Sequence, residues 1–169
     1  MTMAYLVSMK SKDPGTRVGA VIVGPDQEIR STGYNGLPRG IADQKIRYED
    51  KEYKYLAGNH AEENAILNCV LIGVSARDCT IYTPWIPCAR CAKAIIQSGI
   101  KAVVYDINFP GNDPEFQVNW RRSMEISKEI LIESGVEIRE FDGPLIHIEG
   151  LCKETKFPLT FTKTPIAGA

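Results

Sequence analysis

The chain has little histidine, two residues in 169, and no apolar run near the roughly 20 residues needed to cross a bilayer. A membrane span is therefore not expected. It also lacks an excess of charge of either sign: 20 basic residues against 21 acidic ones give a formal net charge of −1, too small a field to attract a long nucleic acid. A small anion would need only one or two local cations. The opening stretch "MTMAYLVSMK" has no basic leader, no long apolar core and no small-residue cleavage site, so it reads as a helix and the cytoplasm is the expected address. Five cysteines are an odd number, and in a reducing compartment they are expected as thiols or thiolates, not disulfides.

What is present is an ordinary globular composition, 44% hydrophobic and 24% charged, in a length that suits one domain able to bury its own core. After the first helix, "KDPG" breaks the chain at Pro14 and Gly15. "RVGAVIVG" and "EIRSTGYN" then flank the turn residues "PDQ" and predict a β-hairpin. The loop "GYNGLPRG" follows, and residues 43–54 show no trustworthy helix or strand pattern. From His60 a helix is expected, with apolar positions Ala61, Ala65, Leu67, Val70 and Leu71 near helical spacing and Gly73 as its stop. Strands at "CTIYTP", "KAVVYD" and "VEIREF" alternate with helices over "PCARCAKAIIQSG" and 116–134. The alternation after a hairpin implies an α/β fold, a three-layer αβα sandwich around a mixed sheet of about five strands. Residues 1–142 form the expected domain and 143–169 a tail without a readable role.

Cys88 and Cys91 carry the chemical question. Pro87 suits a helix opening, so both sulfurs are expected near a helix start, where the positive end favours thiolate and residues three apart share a face. A redox dithiol meets the same conditions, and buried cysteines without chemistry are common. His60 separates these readings. With Cys88 and Cys91 it makes a Cys₂His set, which for zinc leaves the fourth tetrahedral position open, as in catalytic sites. Cys69 and Cys79 read as core, and His147, in "PLIHIEG", as structural or surface. Glu62 can approach an ion from another side at the helix tip, whereas Glu63 fits simple stabilisation of the helix start, which would make Glu63→Gln a near-silent change. His-x-Glu followed by Pro-Cys-x-x-Cys is the signature of zinc deaminases.

With these motifs in place, "DPGTRVGAVIV", "STGYNGLPRG", "HAEENAIL", "PCARCAKAIIQSGIKAVVY" and the later "GVEI" together resemble the cytidine and deoxycytidylate deaminase superfamily, its deoxycytidylate branch above all, over about residues 4–138. The resemblance implies hydrolysis of dCMP to dUMP and ammonia, one Zn²⁺ per chain held by His60, Cys88 and Cys91, and Glu62 as the proton shuttle. It further implies substrate contacts from Asn35, the Ala61 backbone, Arg17 and Tyr105, with Arg39 a second candidate for the phosphate. By the same analogy, dCTP and dTTP effectors, with Mg²⁺ accompanying the nucleotide, would meet Gly33, Tyr34, Gly36 and Arg39 in a homo-oligomer, a hexamer in many relatives. Gly33 and Gly36 read otherwise as turn residues. The chain departs from the family pattern at Glu63, where an apolar residue is more usual, and at Ile86, where a serine is common. No extra zinc ligands of the kind found in some viral relatives stand between Ile41 and Asn59. Related deaminases act on cytosine, cytidine, dCTP, guanine or tRNA adenosine; the near-neutral charge disfavours tRNA, and "GYNGLPRG" favours a pyrimidine nucleotide. A zinc-stabilised binding module without turnover is the alternative from another class.

Overall fold

The computed structural model describes residues 1–112, 120–145, 149–152 and 155–158. Five strands form the central sheet in the order β2-β1-β3-β4-β5: β1 (Gly19–Val23), β2 (Ile29–Tyr34), β3 (Thr80–Thr83), β4 (Ala102–Asp106) and β5 (Glu137–Phe141). β1 runs antiparallel to β2 and β3, while β3, β4 and β5 are mutually parallel. The hairpin and the strand–helix alternation thus give the expected mixed α/β sheet. A separate antiparallel pair, β6 (Glu149–Cys152) and β7 (Thr155–Pro158), lies in the tail. His147 and the expected helical residues 116–119 fall outside the described residues.

The sheet's two faces are covered unequally. Helix α4 (Ala61–Ile72), α5 (Ala89–Gln97) and α6 (Arg121–Glu133) cover one face, meeting a core that includes Ala20, Ile22, Ile81 and Val103 from the strands. Among the described residues the other face carries α1 (Thr2–Ser8), whose Tyr5 hydroxyl donates to Asp106 at 2.7 Å. Gly73 and Gly99 end α4 and α5 with φ of +74° and +76°, a left-handed conformation that glycine adopts without steric cost.

Two expectations need correction. Residues 43–54 contain structure after all: α2 (Lys45–Glu49) and α3 (Lys51–Ala57), the latter capped by Asp50, which accepts the Tyr53 N–H at 3.0 Å. Helices of five and seven residues are too short to stand alone in water and present no full apolar stripe, so they form only because the rest of the fold receives them. The inner face of α4 also differs from the spacing first read. Ala61, Glu62, Ala65, Ile66 and Cys69 are buried, whereas Leu67, Val70 and Leu71 are 47%, 71% and 65% exposed. Because α4 is apolar nearly all round, periodicity could not select its face.

Close approach selects it instead. A Cβ on Gly33 would lie 2.2 Å from the Ala65 nitrogen and 2.3 Å from the Ala61 carbonyl oxygen, so only glycine lets β2 lie against this helix. Gly33 is therefore a packing residue inside a strand and not a turn former. Gly36 does sit beyond the strand end, where its N–H and carbonyl exchange bonds with Asn59 at 3.1 and 2.9 Å. That bridge fixes the residue just before His60.

Candidate metal and active site

Two helix starts converge at one end of the parallel strands. His60 is the N-cap of α4, Cys88 is the N-cap of α5, and Cys91 lies one turn into α5. Pro87 accordingly precedes the cap and does not occupy the first helical position. The Nδ1 of His60 stands 3.4 Å from the Sγ of Cys88 and 3.4 Å from that of Cys91, and the three donor atoms all lie within 4.8 Å of one another. Ligands about 2.0 and 2.3 Å from a tetrahedral zinc are roughly 3.5 Å apart, so the donors fit that ion in both type and separation. No fourth histidine, cysteine or carboxylate joins the set among the described residues. Cys69 and Cys79 are buried in the core, as expected.

Burial and mutual contact shift these groups strongly. Without a cation between them, contact with Cys91, then with the imidazole, lowers the Cys88 thiol to about 4. Cys91 is correspondingly raised well above its usual value, first by the same contact with Cys88 and then by burial. His60 is raised to about 9, chiefly by its bond to Cys88. At neutral pH the metal-free set therefore favours a protonated imidazole and a protonated Cys91 thiol. Zinc needs the neutral imidazole and both thiolates, so its uptake should release protons, and apparent affinity should rise with pH from neutrality towards 9. Chelator competition at several pH values measures this. A pH-independent affinity would mean that these are not the ligands.

His60 and Cys88 open onto a cavity of about 180 Å³ walled by Trp85, Trp120, Tyr55, Ile86 and Met124, with Glu62 in its lining and Cys91 buried behind it. Glu62 is 4% exposed, and burial is the main cause that pushes its carboxyl up to about 7. A carboxyl near neutrality can both accept and return a proton. Trp120 meets both the His60 ring, at 5.9 Å, and the Trp85 ring, at 6.4 Å, edge-to-face, so flat apolar rings suited to a planar base bound part of the chamber. Both tryptophans of the chain line this cavity, a signal the motif reading passed over.

The remaining site candidates divide. Ala61 and Asn35 line the cavity. The Asn35 side chain also organises the wall: its amide donates to the Thr16 carbonyl at 2.9 Å and to Asp13 at 3.3 Å, and its oxygen accepts the Val18 N–H at 2.8 Å. Arg17 is exposed, donates to the Asp13 carbonyl at 3.2 Å, and does not line the cavity. Lys54, from the unforeseen α3, does line it, paired at 2.7 Å with the buried Asp13. Arg39 lies on the outer side of α4, bonded to Asn68. Tyr105 is turned away as well: its hydroxyl donates to Glu140 at 2.7 Å, and it lines a second hollow with Arg121 and Lys128. Tyr34 is half-buried, with the Lys10 ammonium 5.3 Å from its ring centre.

The chain is similar to known proteins. The chain is 40% identical over 139 residues to an uncharacterized deaminase in the luxG 3′ region of Aliivibrio fischeri, covering 80% of this chain and 86% of that one. It is 39% identical over 112 residues to the deoxycytidylate deaminase of Homo sapiens, covering 62% of this chain and 61% of the human protein, so the aligned part is well short of that relative's full length. A crystal structure of dCMP deaminase from the cyanophage S-TIM5, in complex with dCMP and dUMP, superposes with a TM-score of 0.63 over 82% of this chain and 91% of that one, at 24% identity, and shares the fold. Residues 1–107, which contain all three metal donors and Glu62, match the model for the cytidine and deoxycytidylate deaminase zinc-binding region, and the chain belongs to that family.

Proposed function

We propose that the protein is a zinc-dependent hydrolase that deaminates dCMP to dUMP and ammonia. The observation that carries this reading is the juxtaposition of a buried, near-neutral Glu62 with a Cys₂His donor set at the floor of an aromatic-walled cavity. Zinc held by His60, Cys88 and Cys91 would supply the positive charge that acidifies the attacking water. Glu62 takes a proton from that water and passes it to N3 of the pyrimidine as oxygen bonds to C4. It then takes the remaining proton from the new C4 hydroxyl and delivers it to the amino group, C4=O forms as the C4–N bond breaks, and ammonia leaves. In this reading Trp85 and Trp120 bound the base, and the backbone of Ala61, which lines the cavity, holds the ring's polar edge. Asn35 keeps the 13–18 loop in place behind the sugar.

Lys54 is the better candidate than Arg17 for the 5′-phosphate, because it reaches the cavity. A charge-assisted hydrogen bond to phosphate contributes about 1.5–3 kcal/mol. Lys54→Gln should therefore lower kcat/KM for dCMP by roughly 10- to 100-fold relative to deoxycytidine, which has no phosphate. Taking the ratio of the two substrates cancels general damage from leaving Asp13 unpaired. Arg17→Ala should leave the ratio near wild type; a collapse in that variant alone would reinstate Arg17. Ammonia release by the zinc-loaded protein from cytosine, deoxycytidine, CMP, dCMP, dCTP, adenosine and guanine tests the whole assignment, and a wild-type preference for any substrate but dCMP would overturn it.

The division into a deaminase domain over 1–142 and a tail over 143–169 belongs to the same proposal. So do assembly as a homo-oligomer, effectors such as dCTP and dTTP with Mg²⁺, and a cytoplasmic address. The exposed apolar row of Leu67, Val70 and Leu71 supports assembly. The unpaired state of Cys69, Cys79, Cys88 and Cys91 supports a reducing compartment. No helix among the described residues is long and apolar enough to cross a membrane.

A further inference from the structure

Glu63 does more than begin a helix. One of its carboxylate oxygens accepts the backbone N–H of His60 at 3.2 Å, and the other accepts from the Arg90 guanidinium at 2.5 Å. Arg90 stands between Cys88 and Cys91 in sequence, at the second position of α5. A single carboxylate thus joins the main chain of one metal donor to the turn that carries the other two. With the contacts of His60 to the two sulfurs, it is one of the few polar side-chain links between the starts of α4 and α5 among the described residues. The Glu63 side chain is only 13% exposed, so its half of the pair is shielded from solvent, unlike the freely solvated surface pairs that contribute little.

We propose that Glu63 and Arg90 form a clip that sets the spacing of His60 from the Cys88–Cys91 turn and thereby slows loss of zinc. Both are positioning residues: neither reaches the metal, and each acts through the backbone that presents a ligand. The inference rests on the zinc reading of the site. Outer-shell partners of metal ligands typically change metal affinity by about 10- to 100-fold when removed. The clip belongs in that class, which also revises the expectation that substitution of Glu63 is silent.

The test uses the full zinc-loaded chain and four variants, Glu63→Ala, Arg90→Gln, Arg90→Lys and the Glu63→Ala/Arg90→Gln double. Zinc release into excess chromogenic chelator is read beside the melting temperature of each protein after zinc removal. Glu63→Ala and Arg90→Gln should each speed release by about 10-fold, the double should be no faster than the faster single, and Arg90→Lys should lie closer to wild type than Arg90→Gln. The zinc-free melting temperatures should stay together. Arg90 is half-exposed, so its variants keep the test available should Glu63→Ala fold poorly. Wild-type release rates in both singles, or a double equal to the product of the singles, would overturn the clip alone. Zinc-free melting temperatures that fall in parallel with faster release would reduce it to a general stabilising contact. A wild-type chain that takes up no zinc would overturn the metal reading and the clip together.

Discussion

Glu62→Gln protein should keep its zinc and its fold while turnover of dCMP drops by about 10⁴-fold, the upper end of what one general acid–base group contributes. The size follows from the group's surroundings. Glu62 is buried at the cavity wall, and desolvation holds its carboxyl near 7, so protonated and ionised forms are both accessible at neutral pH. Glutamine fills the same volume but can neither accept the water's proton nor return one to the ring and the leaving amine. A single side chain used for successive transfers stops them all. Steady-state rates, zinc content and melting temperature measured together check this. Turnover within tenfold of wild type would reduce Glu62 to a buried carboxyl at a helix start.

Replacing a donor should act on the metal first. In His60→Ala and Cys88→Ser proteins zinc retention should weaken by more than about 100-fold, beyond the range typical of outer-shell partners, and dCMP turnover should vanish with it. Cys91→Ser should behave alike, with a further loss of thermal stability because Cys91 is fully buried. All three donors sit at helix starts that the metal would tie together, so folding and metal binding are coupled and the melting temperature of wild type should itself fall on chelation. Elemental analysis of purified variants provides the decisive measurement. A His60→Ala protein with about one zinc per chain would place the metal elsewhere.

The donor set was legible because its chemistry is written in residue types at short range. A proline, two cysteines three apart and a histidine two before a glutamate each bind to local backbone geometry, at the N-caps of α5 and α4. The strands were legible for a similar reason, since β-branched runs ended by glycine, proline or aspartate have few other ways to satisfy their backbone. Neither signal depends on distant parts of the chain. Lys54 was not legible, because the short helices α2 and α3 exist only where the fold receives them and carry no periodicity of their own.

Sequence alone determined the donor types and the chain order of the five sheet strands and of α4 and α5, all of which rest on local chemistry. Tertiary structure alone decided which face of α4 is buried, since that helix is apolar on most sides and Gly33 admits it in one orientation. It likewise removed Arg17, Arg39 and Tyr105 from the cavity, brought Lys54 into it, and joined Glu63 to Arg90 across 27 positions of chain. A charged side chain's partner is chosen by where folding leaves it, and no local pattern encodes that choice.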